Sequence, residues 1–404
     1  VRSALRPLLA AGALLLAGAA AASPALAQAA ADATGTPAQP AATVPEKAAG
    51  PSRLRSAEDG WLDIGGFLDQ VYGFVPIAMP ITEPAVGYGL GGGVLFVDKP
   101  KGEARQAGFG RPNLTAVGAL GTENGTRGAA AGDVRHWMND RLQTIVAAGT
   151  ASVNLDFFGV GDDAVLSEHP RSYNLKPKFA LVQAKYRIGQ SRLWAGLGYV
   201  RANVGVSFDA PEEAAGLPDT PAEVRVGGLT PLVSYDSRDN IFTPNAGGYF
   251  EAAPGFFSPA FGGDSEFRRA SLTAMQYLPV RRRLTLGVRG TATLSSGEVP
   301  FFLRPYVALR GAPVMRYQGE HAASVELEAR WQCWKRFSVV GFAGAGAAWN
   351  DFDEGDDARS VVTGGAGFRY EIARAYGLHM GLDVAFGPDA TALYVVVGSA
   401  WMRP

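Results

Sequence analysis

Residues 323–331 read Ala-Ser-Val-Glu-Leu-Glu-Ala-Arg-Trp. Side chains alternate across an extended strand, so Ala323, Val325, Leu327, Ala329 and Trp331 share one face and Ser324, Glu326, Glu328 and Arg330 the other. Three charges on one face cannot be packed into a dry layer without partners. The same scheme recurs: Leu286 and Val288 alternate with Thr285, Gly287 and Arg289, Phe368 and Tyr370 with Arg369 and Glu371, and Leu378, Met380, Leu382, Val384 and Phe386 with His379, Gly381, Asp383 and Ala385. A soluble sandwich also alternates. The choice therefore turns on strand number, strand spacing and whether the chain is exported.

Arg2 and Arg6, the apolar run Leu8 to Ala22 and the small-residue site Ala25-Leu26-Ala27 have the form of a cleaved secretory signal over residues 1–27. Residues 28–58 are rich in Ala, Pro and Thr with almost no large apolar side chain, and are expected to form a disordered linker. Trp61, Leu62, Ile64, Phe67, Leu68, Val71 and Tyr72 recur at helical spacing, so residues 59–74 read either as a short periplasmic helix capping a barrel or as irregular lead-in. No long apolar span follows, so a membrane role falls to strands.

Residues 75–404 read as strand nearly throughout. The segments are Val75 to Ile81, Val86 to Val97, Leu114 to Leu120, Arg127 to Trp137, Leu142 to Phe158, Tyr173 to Ile188, Arg192 to Phe208, Val224 to Tyr235, Tyr249 to Phe257, Phe267 to Leu278, Leu284 to Leu294, Ala323 to Trp334, Phe337 to Trp349, Val361 to Ile372, Gly377 to Phe386 and Leu393 to Trp401. About sixteen strands is an even number, as a single-chain outer-membrane barrel requires. Asn139-Asp140, Gly189-Gln190, Pro279 to Arg283 and Lys335-Arg336 are short turns, whereas 161–171, 210–223 and 350–360 are long and often acidic. Short turns on one rim and long loops on the other fit the periplasmic and external ends of such a barrel. The connection from Asp98 to Asn113 is long where a turn is due, which marks an insertion or a misplacement of the first strands. The expected fold is all-β: a transmembrane antiparallel up-and-down barrel, apolar side chains toward lipid, Glu326, Glu328, Arg369 and Asp383 toward a wet lumen, and Trp331, Trp334, Trp349, Tyr370 and Trp401 in interfacial belts.

The net charge of −1 suggests no nucleic-acid partner. Cys333 is the only cysteine, so no internal disulfide or thiolate metal site is expected. His136, His169, His321 and His379 lack metal-ligand spacing, with His379 read as pore-lining. Gly263-Asp264-Ser265 has no histidine near it, and no other catalytic motif stands in its proper context. Neither an enzyme nor a cofactor is expected. The acidic loops keep the exposed ends soluble or hold divalent cations.

Tyr235-Asp236-Ser237-Arg238-Asp239-Asn240, followed by Phe242, Pro244 and Gly247-Gly248-Tyr249, resembles the strand-turn signature of the BamA/TamA-like outer-membrane barrels, the bacterial surface antigen family. Asp236, Arg238, Asp239, Pro244 and Gly248 are its turn residues, read physically as ties within the turn. Leu309-Arg310-Gly311-Ala312-Pro313 with Arg316, Tyr317 and Gly319 resembles the family's inserted loop, whose Arg-Gly-aromatic tip folds back into the barrel. The resemblance implies an extracellular loop plugging the lumen between strands eleven and twelve. The loop is also long and apolar, with Phe301, Phe302, Leu303, Tyr306, Val307 and Leu309, as a lumen plug needs and an exposed loop does not. Arg310 then requires an acid. Glu326, Glu328 and Asp383 are the candidates by facing, because Gly344 stands where many members carry an Asp. Ala312 replaces the aromatic tip, the chain ends without a terminal aromatic, and residues 28–60 leave no room for POTRA modules. The implied role is outer-membrane assembly, lipid handling or transport, with outer-membrane lipid, lipopolysaccharide and a separate periplasmic protein as partners. The alternative is a passive or specific outer-membrane channel.

Overall fold

The computed structural model of the chain describes residues 54–56, 58–65, 73–98, 113–159, 166, 169–209, 223–240, 242–350 and 358–401. The expected export signal, nearly all of the linker, residues 66–72 and most of the long loops 99–112, 160–168, 210–222 and 351–357 lie outside the described residues.

The first eight strands are β1 (Gly73–Glu83), β2 (Gly87–Asp98), β3 (Asn113–Thr122), β4 (Arg127–Trp137), β5 (Leu142–Phe157), β6 (Arg171–Arg187), β7 (Leu193–Phe208) and β8 (Glu223–Asp236). The second eight are β9 (Gly247–Phe257), β10 (Phe267–Arg281), β11 (Leu284–Gly297), β12 (His321–Trp334), β13 (Phe337–Trp349), β14 (Arg359–Ala373), β15 (Leu378–Phe386) and β16 (Thr391–Val397). They form one sixteen-stranded antiparallel sheet in chain order. β16 comes to lie beside β1, which curls the sheet into a barrel, yet no ladder joins the two among the described residues. β2 and β3 pair in register from Asp98↔Asn113, so the long connection between them is an insertion and not a sign of misplaced strands.

Facing follows the period-two pattern. On β12, Leu327 is 56% exposed on the outside while Glu326 is 1% exposed on the inside. Val325, Trp331 and Trp334 join Leu327 outside, as do Leu286, Val339, Phe368, Met380, Val384 and Phe386 on neighbouring strands.

Four expectations need correction. The last strand stops at Val397: Gly398 turns with φ 77°, and Trp401, expected in an interfacial belt, is buried inside the barrel. Leu378, expected to face lipid, is buried because Phe242 of the β8–β9 connection and Tyr376 of the 374–376 turn pack over it. His379, read as pore-lining, packs against the β8–β9 connection. It is half-buried, its backbone N–H donates to Thr243 Oγ1 at 3.3 Å, and its Nδ1 lies 3.1 Å from the Gly377 carbonyl. Finally, the interior is not polar throughout. On β5 to β8 the inward side chains near the long loops are Val153, Leu155, Phe157, Tyr173, Leu175, Phe179, Val200, Val204 and Val206, all in one apolar cluster.

Candidate functional site

The lumen of the β11–β15 wall carries a cluster of charges set by alternation. Glu326, Glu328 and Arg330 stand two apart on β12, Arg289 on β11 pairs in register with Glu326, and Arg369 and Asp383 lie on β14 and β15. Glycines make the room. Gly367 is the register partner of Asp383, and a Cβ there would lie 1.9 Å from Asp383 Oδ1. Arg369 closes on Asp383 bidentately, Nη1 to Oδ1 at 2.5 Å and Nη2 to Oδ2 at 2.9 Å.

The 298–320 connection enters this lumen. Arg310 touches all three acids proposed for it: Nε donates to Glu326 Oε1 at 2.8 Å, Nη1 to Asp383 Oδ2 at 2.7 Å, and Nη2 lies 2.9 Å from Glu328 Oε2 and also against Glu326. Its guanidinium stacks 3.6 Å from the Phe342 ring centroid. Glu326 and Asp383 accept the guanidinium's hydrogen bonds, Glu328 adds an ion pair without one, and the ring covers the guanidinium's face. Gly344 acts by absence: a Cβ there would come 2.8 Å from Leu309 Cδ2, so the glycine admits the loop's Leu309. Gly346 does the same for Val307, at 2.5 Å. Gly311 has φ 88°, a backbone region open to glycine, and its N–H donates to the Tyr394 hydroxyl at 3.1 Å. Ala312 is buried with Val307, Leu309 and Tyr317.

The other end of the loop is held by apolar contact. Phe301, Phe302 and Leu303 form a buried 3-10 turn. The Phe301 ring sits 5.3 Å from Phe157, 5.3 Å from Tyr173 and 5.5 Å from Phe208. Arg316 donates to Asp389 at 3.0 Å, and the Tyr317 hydroxyl donates to the same carboxylate. Burial first, then that hydrogen bond, pushes the Tyr317 hydroxyl up to about 12, so it remains a donor at neutral pH. Gly319 approaches the Trp349 backbone so closely that a Cβ would lie 2.6 Å from its carbonyl oxygen.

The turn residues tie the β8–β9 connection. Arg238 holds Asp236 through Nε at 2.9 Å and Nη2 at 2.8 Å, Asp239 accepts from the Asn245 N–H at 2.9 Å, and the Gly248 N–H donates to Ser237 Oγ at 3.0 Å. Arg330 reaches this turn from the lumen, donating to the Pro244 carbonyl at 2.7 Å.

Two features of the lumen and its rim have no signature in the sequence. Trp401 comes back inside and donates from Nε1 to Glu326 Oε1 at 2.7 Å, the same carboxylate that holds Arg310. At the turn rim, the lead-in docks on Arg336, whose side chain is fully buried. Arg336 reaches Asp59 at 2.7 Å and Asp63 at 2.7 Å, while Trp61 packs edge-on against Trp334 at 5.2 Å. Tyr370 donates to the Leu62 carbonyl at 2.7 Å. The Arg336 hydrogen bonds hold the Asp59 carboxyl down at about 2. Residues 58–64 are thus an irregular strap, Gly65 is helical, and residues 66–72, on which the helical alternative rests, lie outside the described ones.

No family model and no curated protein matches the chain. Solved structures do. BamA from Haemophilus ducreyi lacking POTRA domains 1–3 superposes with TM-score 0.54 at 12% identity, over 81% of this chain and 69% of that one. CdiB from Escherichia coli superposes with TM-score 0.56 at 13% identity, over 80% of this chain and 61% of that one. The fold is that of the BamA and CdiB barrels. This chain spans only about three fifths of the CdiB length, and at such identity the likeness speaks for architecture alone.

Proposed function

We propose that the chain is a plugged outer-membrane barrel serving outer-membrane assembly, lipid handling or transport, and not an open passive channel. The observation that carries this reading is the double anchoring of the 298–320 loop: Arg310 among Glu326, Glu328 and Asp383 on one side, Phe301 and Phe302 in the β5–β8 apolar wall on the other. A loop held so at both ends fills the lumen. The likeness to two outer-membrane barrels supports the location, with the short turns periplasmic and the long loops external. The strap on Arg336 then lies at the periplasmic rim, where a separate periplasmic protein would meet the barrel. No catalytic role is assigned: Asp264, the acid of the Gly-Asp-Ser string, is engaged by Arg225 at 2.6 Å.

Planar-bilayer recording tests the reading. The full chain should give a closed baseline, and deletion of 304–319 should give steady conductance. An ohmic pore in the unaltered chain would establish the channel. Loss of other barrel proteins from the outer membrane on depletion would favour assembly over lipid handling.

A further inference from the structure

The outward face of β6 changes character along its length. Tyr186, Ala184, Val182 and Ala180 are exposed and mostly apolar, and then Lys178 and Lys176 are exposed. On β7 the exposed Leu197 gives way to Arg201, which is the register partner of Ala180. The inward face changes the opposite way at the same level: buried Gln183 and Lys185 toward the turns, buried Phe179 and Leu175 toward the loops. An apolar outside with a polar inside is a strand in hydrocarbon, and a polar outside with an apolar inside is a strand in water around a packed core. The switch therefore marks where β6 and β7 leave the bilayer. The span from Lys178 to Tyr186 matches the roughly 9–11 residues a tilted spanning strand needs.

Three cations ring that boundary. Lys176 and Lys178 are about 7 Å apart along one strand face. Arg201 is the diagonal neighbour of Lys178, about 7–8 Å away across the strand pair. None of the three is paired with a carboxylate among the described residues, although Arg225 nearby is neutralised by Asp264. Asn203, opposite Lys178 in the register, adds a neutral polar group. The β9–β10 connection folds outward beside them: the Tyr199 hydroxyl donates to the Phe261 carbonyl at 3.1 Å, Gly262 lies against the Arg201 guanidinium, and Pro259 and Ala260 are exposed.

Unpaired cations set directly above an apolar belt match one kind of partner: a lipid with phosphates at the membrane surface and acyl chains below. Resting on the outer-membrane reading above, we infer that Lys176, Lys178 and Arg201 form a phosphate-binding site for lipopolysaccharide of the outer leaflet, with the acyl chains against Val182, Leu197 and Tyr199. The site lies on the outside of the barrel and involves no residue of the lumen.

The test is titration of the full chain, in zwitterionic detergent, with fluorescently labelled lipopolysaccharide. The unaltered chain should bind it, and Lys176→Gln/Lys178→Gln/Arg201→Gln should weaken binding on the order of a hundredfold, from the attraction each surface cation contributes. Lipid A stripped of its phosphates should bind the unaltered chain as weakly as intact lipopolysaccharide binds the triple variant. The Lys176→Arg/Lys178→Arg variant, which keeps the charge, should retain binding. Equal affinity of unaltered and triple-Gln chains, or equal binding of phosphate-free lipid A, would overturn the site. Full displacement by phosphatidylglycerol micelles at equal concentration would overturn the choice of lipopolysaccharide. The triple variant should keep heat-modifiable migration and a closed conductance baseline, so failure of this site and failure of the plug read out separately.

Discussion

At the residue scale, one arginine organises the lumen. Removing a single partner from a buried ionic cluster leaves the others uncompensated, which costs about 3–5 kcal/mol. Arg310→Ala should therefore loosen the loop while the strands persist, read as faster proteolysis near residue 310 with unchanged far-ultraviolet circular dichroism. Cleavage as slow as in the unaltered chain would show that the apolar anchor suffices. Gly367→Ala addresses the same cluster from behind. The added methyl would fall on Asp383 and 2.4 Å from the Leu382 carbonyl, so the carboxylate must move off both Arg310 and Arg369. Overpacking of this kind costs about 1–3 kcal/mol. A lower melting temperature with a more protease-sensitive loop is expected. An unshifted melt would mean that Asp383 has another rotamer that keeps its partners.

At the element scale, the two ends of the barrel sheet behave unlike its interior. β1 carries Pro76 and Pro80, paired in register with Val94 and Leu90. Antiparallel residues two apart direct their backbone polar groups to the same neighbour. A proline has no N–H to give, so it pairs with β2 only in the non-hydrogen-bonded manner and turns its nitrogen toward β16. Two donors are thereby missing from the seam, and β16 is itself only seven residues long, which accounts physically for the absent ladder. The strap 58–64 is held differently, by charge. Asp59 has a depressed folded-state pKa, so its contribution is full above its ordinary value of 3.8 and is lost as pH falls toward about 2. Because Trp61 packs edge-on against Trp334, tryptophan fluorescence should report release of the strap over that acid window and not above it. Arg336→Ala should give the released signal already at neutral pH. A variant spectrum equal to that of the unaltered chain would mean that the aromatic contact holds the strap alone.

At the scale of the whole molecule, the 298–320 loop is anchored by two chemistries arranged around the barrel interior. The β5–β8 wall offers carbon, the β11–β15 wall offers charge, and one connection carries a segment suited to each: Phe301-Phe302-Leu303 and then Arg310. Trp401 adds the chain end to the same centre through Glu326. Trp401→Ala should leave the barrel folded but lower its melting temperature, because a buried indole packed against Tyr249, Met275 and Tyr277 is removed, at about 3–5 kcal/mol, while Glu326 Oε1 keeps its Arg310 donors. No change in melting would show that water replaces the indole.

What the sequence determined by itself is whatever depends on neighbours two residues away. Alternation placed sixteen strands within a few residues of their ends, and separated Leu327 from Glu326 and Phe368 from Arg369, because facing in a strand is a local property. It also narrowed the partners of Arg310 to Glu326, Glu328 and Asp383, since only inward positions qualify; the structure engages all three. Only the tertiary structure decided which inward groups meet. Closing the sheet brings residue 59 to 336, 310 to 383 and 326 to 401, and no spacing along the chain encodes such encounters. The apolar lumen of β5 to β8 escaped the sequence reading for a related reason. Period two reports that a strand has two unlike faces, but which face meets hydrocarbon, and at what height the two exchange roles, is fixed by where the strand crosses the bilayer and by the loop packed behind it.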